Sequence, residues 1–239
     1  MTVLAVIPAR GGSKAIPRKN LSPLAGRPLI AYTLAAARAA KTVTEVMVST
    51  DDDEIAAVCE AEGVPVPYRR PQALAGDDAG MVDTVLDALD WWTARTSVKP
   101  ELIVLLQPTS PLRSGGDIDG TVDALRRAVR ESAVSVHAMT EHPMECVRLA
   151  GSSWTMLAHP PAGTVGRQDY DGQFYFINGA VYAATPAFLR SHRALLAEGE
   201  ETALYVMDGV RGVDIDDEDD LDMAEAILLH PRLRRRVQG

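Results

Sequence analysis

The sequence predicts an α/β fold in three layers, in which a mostly parallel sheet is covered by helices on both faces. Two observations support this prediction: apolar runs of strand length alternate with segments of helical composition, and most of those runs are continuously apolar. Strands that are buried on both faces have this pattern because neither face meets water. We expect the carboxyl ends of these strands to border one crevice, where ligands bind in open parallel sheets.

The first half of the chain sets up this alternation. Val3–Ile7 is an apolar run of strand length, and the alanine-rich Pro28–Lys41 follows with helical composition. Glu45–Ser49 predicts a second strand, and Asp53–Gly63 predicts a second helix that a glycine closes. Val64–Pro67 predicts a short third strand.

The alternation then continues toward the C-terminus. Met81–Arg95 predicts a helix because its apolar residues recur at helical spacing, and Leu102–Leu106 is the most apolar strand. The remaining predicted elements are helices over Gly116–Glu131 and Asp217–Leu229 and strands over Ala133–Ala138, Ala180–Ala184, Ala203–Val206 and Gly212–Ile215.

The alternation breaks between residues 142 and 178. This segment is rich in glycine and proline and shows no clear amphipathic helix, so we expect an inserted arm. The length of 239 residues suits a single domain over residues 1–239 that carries this arm.

Composition excludes several classes of protein. The net charge of −9 argues against nonspecific nucleic-acid binding, and the basic tail Arg232–Arg236 is short enough to be a solvated helix end. No apolar run approaches the ~20 residues that span a bilayer, so no membrane partner is expected. The N-terminus lacks a signal-peptide pattern, and Cys59 and Cys146 lie far apart without CxxC spacing. A reduced, cytoplasmic protein is the simplest interpretation.

A cationic loop with two adjacent glycines follows the first strand. Gly11 and Gly12 allow the backbone to approach a polyphosphate closely, and Arg10, Lys14 and Lys19 supply positive charge. The spacing is neither GxxxxGK[ST] nor GxGxxG, so neither a P-loop nor a dinucleotide cofactor is predicted. The alternative is a surface loop with solvated cations. The loop follows a buried strand, where a crevice is expected, and this position favours phosphate binding.

The stretch IPARGGSKAIPRKN, over residues 7–20, resembles the N-terminal signature of the acylneuraminate cytidylyltransferases, which make CMP-sialic acid and related CMP-nonulosonates. Further stretches match the same family in order: RRPQALAGDDA, QPTSPLR, RQDYDG followed by NGA, and VDID. The resemblance covers nearly the whole chain. It implies a Rossmann-like three-layer sandwich of the nucleotide-diphospho-sugar transferase type with an extended dimerisation arm.

In this family the opening loop wraps the triphosphate of CTP. The nucleotide-binding residues that the resemblance implies are Arg10, Gly11, Gly12, Ser13, Lys14, Lys19 and Asn20 at the phosphates, with Arg70 and main-chain groups near Ala79 at the cytosine base. The stretch around Arg70 is alternatively a polar helix-entry loop. Asp51, in the matching VSTD stretch, is alternatively the N-cap of the next helix.

The resemblance also implies an acceptor site. Gln107 would contact the acceptor sugar acid, and Ser110 and Arg113 would help to shape the site, although a purely structural turn is the alternative for this proline-rich loop. The other implied acceptor-binding residues are Arg167, whose guanidinium suits a carboxylate, Gln168 and Asn178.

One departure from the family pattern concerns the acceptor. Several bacterial members place an arginine just before the NG pair, where this chain has Phe176 and Ile177. We therefore expect a more apolar acceptor pocket. In the family the arm, here residues 142–178, also reaches a second subunit, so the resemblance implies a homodimer.

Asp214 and Asp216 are the candidate ligands for Mg²⁺. Residues two apart on an extended strand face the same way, and Mg²⁺ binds through one or two carboxylates plus substrate phosphates. The stretch VDID matches the family's metal motif. Acidic side chains here could instead stabilise the last helix by interacting with the positive end of its dipole. We assign that role to the acidic residues after Asp216.

The resemblance implies transfer of CMP from CTP to the anomeric hydroxyl of a nonulosonic acid, with release of pyrophosphate. The residues expected to carry the reaction are Arg10, Lys14, Lys19, Asp214 and Asp216, with Mg²⁺ as the cofactor. The alternatives are a cytidylyltransferase for a Kdo-type or other acid and a regulatory protein that binds nucleotide without chemistry.

Overall fold

The computed structural model describes residues 1–13, 15–159 and 172–238, and its core is a six-stranded sheet. The strands, numbered in chain order, are β1 (Val3–Pro8), β2 (Pro23–Leu24), β3 (Arg27–Pro28), β4 (Glu45–Ser49), β5 (Leu102–Leu105), β6 (Ser132–Ala138), β7 (Val147–Ala150), β8 (Ser153–Met156), β9 (Tyr175–Ala184) and β10 (Thr202–Val206). The main sheet has the order β10-β6-β9-β5-β1-β4, while β2–β3 and β7–β8 form two small ribbons.

Only one strand of the main sheet runs against the others. β1 is parallel to β4 and β5, β6 is parallel to β10, and β9 is antiparallel to both β5 and β6. Because β9 separates β5 from β6 and opposes both, those two strands run in the same direction. The five parallel strands therefore end at one edge, as a mostly parallel sheet predicts.

Helices cover both faces of this sheet. They are α1 (Leu29–Ala39), α2 (Asp53–Ala61), α3 (Met81–Thr96), α4 (Gly115–Ala128), α5 (Pro186–His192), α6 (Glu218–Leu229) and α7 (Pro231–Gln238). α1, α2 and α4 share one buried cluster with alternate residues of β1, and α3 and α5 share a second cluster with the intervening residues. A third cluster lies beneath α6 and α7. The predicted three layers are confirmed.

The N-terminal ends of two helices are fixed by reciprocal side-chain caps. At α4, Ser114 accepts from the N–H of Asp117 and the Asp117 carboxylate accepts from the N–H of Ser114; at α6, Asp217 and Asp220 make the same pair. Such boxes satisfy N–H groups that the first helical turn leaves unpaired.

Two predicted strands are wrong. Residues 64–67 run next to the sheet without joining it, since Pro65 and Pro67 have no N–H to offer a ladder, although Val64 and Val66 are buried. The predicted strand over residues 212–215 is also absent: Gly212 ends a 3₁₀ turn over Gly209–Gly212, and the apolar side chains of Val213 and Ile215 pack beneath α6 instead of entering the sheet.

Some features of β9 and of the flanking elements were not predicted. β9 begins at Tyr175, before the predicted start at Ala180, and it is antiparallel to its neighbours. α5 and the β2–β3 ribbon have no counterpart among the predicted elements. In the described part of residues 142–178, where an inserted arm is expected, the β7–β8 hairpin lies outside the main sheet. None of the described helices is both long and apolar enough to cross a bilayer.

Candidate active site

A cleft lies at the carboxyl edge of β1, β4 and β5. Its volume is about 190 Å³. Its lining consists of Pro8, Arg10, Gly12, Ser13, Lys19, Asn20, Arg70, Met81, Gln107, Pro108 and Thr109. Residues predicted from separate motifs thus meet around one space. A larger cavity, about 610 Å³, lies at the other edge beside Pro100 and Glu131, and its lining holds no residue that the sequence predicts for the site.

The first glycine of the opening loop packs against the start of α2. The N–H of Gly11 donates to Asp51 Oδ1 at 3.0 Å, and a Cβ at Gly11 would lie 2.5 Å from Asp52 Oδ2. Asp52 is the N-cap of α2, because its carboxylate accepts from the N–H groups of Glu54 and Ile55. The alternative that Asp51 caps this helix is wrong; Asp51 instead anchors the loop. The N–H of Gly11 is therefore not directed at the cleft.

The second glycine faces the cleft. A Cβ at Gly12 would meet no atom within 4 Å, and both Gly12 and Ser13 line the cleft. Lys14 lies outside the described residues. Of the two glycines, Gly12 is therefore the one that leaves room for a ligand next to the backbone.

Arg10 and Asn20 connect the loop to its surroundings. Arg10 Nη1 lies 2.7 Å from Asp77 Oδ1, which joins the opening loop to the segment before α3. Asn20 Nδ2 donates to the main-chain carbonyl of Arg10 at 3.0 Å. Arg10 thus presents its charge at the rim of the cleft, and Asn20 fixes the loop from within.

Lys19 ties the loop to the segment that carries the candidate metal ligands. Its Nζ donates to the carbonyls of Ile215 at 2.7 Å and Asp216 at 2.9 Å. Two of the three ammonium donors are used in this way, and the side chain still lines the cleft. Lys19 therefore holds two parts of the site together as well as supplying charge.

Arg70 is clamped to the end of β4. It is 7% exposed; its Nε donates to Ser49 Oγ at 3.0 Å and its Nη2 to the Ser49 carbonyl. Burial lowers its pKa, and the charge of Asp51 opposes that shift. Arg70 remains in the cleft lining. Ala79 does not reach the lining, and its N–H is directed at the Gly76 carbonyl in a local turn, at 3.3 Å.

The predicted acceptor residues separate into one at the cleft and three in the interior. Gln107 lines the cleft. Ser110 is fully buried, with its Oγ 3.4 Å from Asp214 Oδ1, and Arg113 is 3% exposed and bound to main-chain carbonyls. Arg113 therefore shapes the site from beneath instead of touching a ligand.

Asn178 also lies in the interior, at 3% exposure. Its Oδ1 accepts from Ser135 Oγ at 2.7 Å and from the N–H of Ala180 at 3.2 Å. Through these contacts the Asn178 amide joins β9 to β6, and its role as an acceptor ligand stays a prediction. Arg167 and Gln168 lie outside the described residues.

Asp214 and Asp216 do not lie on a strand, so the periodicity argument for their shared direction is wrong. Asp214 is partly buried next to Ser110, whereas Asp216 is exposed and its N–H donates to Asp220 Oδ2 at 2.9 Å. What fixes the segment is Ile215 between them, which is buried and whose N–H donates to the Thr109 carbonyl.

The donor set suits a hard cation that also binds substrate phosphates. Within the part of the chain that the structure describes, no three His, Cys, Asp or Glu side chains are grouped to hold a metal ion. Mg²⁺ needs only one or two protein carboxylates when phosphates complete its shell. The carboxylate of Asp214, joined through Ser110 to the loop after β5, fits that requirement.

Sequence reasoning missed two residues of this site. Asp77 is absent from the predicted site residues, yet it pairs with Arg10 at the rim. Thr33, within α1, accepts from buried Arg113. Thr33 carries no local signal, whereas Asp77 lies in the RRPQALAGDDA stretch; its pairing with Arg10 could not be predicted because the two residues are distant in the chain.

Comparison with known proteins identifies the family. A family model described as "Cytidylyltransferase" matches residues 4–156. The CMP-N,N'-diacetyllegionaminic acid synthase of Legionella pneumophila is 33% identical over 229 residues, which cover 95% of this chain and 97% of that protein. The N-acylneuraminate cytidylyltransferase of Oncorhynchus mykiss is 34% identical over 228 residues, and the chain spans 50% of its length.

A solved structure supports the fold. A CMP:2-keto-3-deoxy-manno-octonic acid synthetase complexed with CTP superposes with a TM-score of 0.69 over 95% of this chain and 98% of that one, at 18% identity. At that identity the likeness shows the Rossmann-like fold alone. Since the family model covers more than half of the chain and the Legionella relative nearly all of it, the chain belongs to the cytidylyltransferase family, as the resemblance of its motifs predicts.

Proposed function

We propose that this protein transfers CMP from CTP to the anomeric hydroxyl of a nonulosonic acid and releases pyrophosphate. One observation carries the proposal: Arg10, Lys19, Arg70 and Gln107 line one cleft at the carboxyl edge of the sheet, in a member of the cytidylyltransferase family. The Legionella relative, matched over nearly its whole length, is named for making a CMP-nonulosonate. Residues 1–239 are proposed to act as one domain.

The triphosphate is proposed to lie along the opening loop. Gly12 leaves space for it, Ser13 offers a hydroxyl, and Arg10, Lys14 and Lys19 offset its negative charge. Because Asp51 and Asn20 fix this loop before any ligand binds, the donors need little reorganisation during the reaction. Arg70 is proposed to lie at the cytosine end, held in place by Ser49.

The acceptor is proposed to enter beside Gln107. Its anomeric oxygen attacks the α-phosphorus of CTP, the bond from that phosphorus to the bridging oxygen breaks, and pyrophosphate leaves with that oxygen. The proton of the attacking hydroxyl passes to solvent. Catalysis is then mainly positioning and charge neutralisation. Arg167 and Gln168 complete the proposed acceptor site.

Asp214 and Asp216 are proposed to hold Mg²⁺. When bound, the ion would neutralise charge on the phosphates of CTP. Ser110 orients Asp214 from the buried side, and Lys19 fixes the main chain of Asp216. Ser110 in the interior and Lys19 at the cleft thus hold the segment from two sides.

A homodimer is also proposed, in keeping with the arm. Apolar side chains on the β7–β8 hairpin and at the start of β9 are exposed in the single chain: Leu149 (76%), Trp154 (60%) and Phe176 (55%). Leu149 and Trp154 lie opposite each other in the hairpin, and adjacent large apolar side chains in contact with water usually mark an interaction surface.

The two cysteines are free thiols, which suits the proposed cytoplasmic location.

The experiment that tests the proposed activity measures pyrophosphate release from CTP and Mg²⁺ across a panel of nonulosonic acids and Kdo. We expect turnover with a nonulosonic acid and formation of its CMP conjugate. Turnover with Kdo alone would show that the proposed acceptor class is wrong. CTP binding without release of pyrophosphate with any acid would indicate a nucleotide-binding protein without this chemistry.

A further inference from the structure

Arg113 is a buried cation whose hydrogen-bond acceptors are all uncharged. Its Nη1 donates to the Ala180 carbonyl at 2.9 Å, and its Nη2 donates to the Gln107 carbonyl and to Thr33 Oγ1. Burial lowers its pKa to about 9, and the negative charge of Asp214 opposes that shift. The group is therefore a cation at neutral pH.

Packing alone does not explain an arginine at this position. Removing a cation from water costs free energy, and an apolar side chain of similar volume usually fills a buried space at lower cost. The guanidinium adds a rigid, planar set of donors, which can hold two carbonyls at a fixed separation. An ammonium group offers its donors from a single point and does not fix that separation.

The two carbonyls lie where β5 and β9 stop pairing. The register of this pair runs from Ile103 opposite Ala184 to Leu105 opposite Tyr182, and there it ends. Continuing the same register would place Gln107 opposite Ala180. Arg113 donates to the carbonyls of those two residues. Its guanidinium therefore spans the strands at the point where the ladder has opened toward the cleft.

We propose that Arg113 is a positioning residue that holds the chain just after β5 at a fixed separation from the middle of β9, and so sets where the Gln107 side chain lies. This inference rests on the proposed function, because Gln107 is the proposed contact of the acceptor. Arg113 itself, buried beneath the loop, touches neither substrate.

The test compares Arg113→Met and Arg113→Lys with a matched control, Asp119→Ala. Asp119 also binds two main-chain groups and a threonine hydroxyl: it accepts from the N–H groups of Lys41 and Thr42 and from Thr42 Oγ1. It lies outside the cleft lining.

We expect Arg113→Met to lower kcat/KM for the acceptor by about 100-fold, since small displacements of a positioning group have effects of that size. The Kd of CTP should stay within about threefold of wild type, and Arg113→Lys should lose less than Arg113→Met. Asp119→Ala should lower Tm and leave kcat/KM within about threefold.

Hydrogen exchange gives a readout that does not depend on turnover. Amides of residues 103–113 and 175–184 should exchange faster in Arg113→Met than in wild type, and those of Asp119→Ala should not. A folded Arg113→Met with wild-type acceptor kinetics and exchange would overturn the proposal, as would equal losses in CTP and acceptor binding. If Arg113→Met does not fold, Arg113→Lys decides the same comparison. Absence of turnover in wild type would refute the proposed function, and the exchange result would still decide whether Arg113 joins the two strands.

Discussion

Gly11 and Gly12 are adjacent in the chain but meet opposite surroundings. At Gly11 the backbone passes so close to the N-cap of α2 that a Cβ would lie 2.5 Å from Asp52 Oδ2. At Gly12 the same atom would meet open space. One glycine is thus needed for packing of the protein on itself, and the other leaves space for the proposed ligand.

Substitution with alanine should separate these two roles. Gly11→Ala should displace the loop from Asp52 and lower Tm, because the cap is held by two N–H groups and cannot move freely. Gly12→Ala should leave Tm unchanged and raise the Kd of CTP by about tenfold, or about 1.4 kcal/mol. Thermal unfolding and CTP titration measure the two effects. Equal Tm values for both variants would contradict the packing role of Gly11.

A motif predicts that a residue belongs to the site, whereas its depth of burial depends on the surrounding structure. The stretch QPTSPLR predicts that its residues belong to the site, and Gln107 does line the cleft. The motif carries no information on depth, so the burial of Ser110 and Arg113 had to come from three-dimensional packing. The same holds for Asn178, whose partner Ser135 lies on β6.

At the scale of elements, α1 and α4 approach each other so closely that only glycine fits at the contact. A Cβ at Gly115 would lie 2.7 Å from the main chain of Ala39 and Ala40, whereas a Cβ at Gly116 would lie 3.5 Å from Ser114 Oγ, an ordinary contact. Contact between backbones cannot be relieved by a side-chain rotation. The close approach of α1 and α4 therefore requires glycine at position 115.

Gly115→Ala should therefore destabilise the protein by about 1–3 kcal/mol, the usual range for overpacking. Gly116→Ala is the matched control and should cost nothing, since alanine favours a helix over glycine. Urea unfolding at constant pH measures both. A Gly115→Ala variant as stable as Gly116→Ala would show that α1 and α4 can separate without cost.

Elements were predictable where composition alone fixes them. The continuously apolar run at Leu102–Leu106 gave β5, and the alanine-rich run gave α1. Prolines at positions 65 and 67 keep a stretch with two buried valines, Val64 and Val66, out of the sheet. Val213 and Ile215 are apolar because they pack beneath α6, which a short pattern does not distinguish from a strand. The antiparallel direction of β9 leaves no trace in its composition, since apolar residues show burial and not direction.

At the scale of the whole molecule, a cationic cleft lies in an acidic chain. The net charge of −9 repels an anion such as CTP at long range, while Arg10, Lys19 and Arg70 attract it at one edge of the sheet. A cleft with one sign of charge focuses the field at its mouth. The charge of the cleft, and not that of the chain, should therefore decide where CTP binds under the proposed function.

The proposed homodimer can be tested on the exposed apolar surface of the hairpin. Light scattering should give twice the chain mass of 25.7 kDa for wild type, and Leu149→Asp should give a monomer, because it places a charge at the proposed contact. Val129→Asp is the matched control, since Val129 is 87% exposed at the end of α4, away from the hairpin. A wild-type protein of single-chain mass would contradict the proposal.

The most direct measurement of the central claim follows the α-phosphorus of CTP. The enzyme is incubated with Mg²⁺, a nonulosonic acid that supports turnover and CTP labelled at that atom, and the products are separated. The account predicts that the label appears in the CMP-sugar while the released pyrophosphate carries none. Label in free CMP or CDP, without a labelled sugar product, would contradict transfer of CMP to the acid.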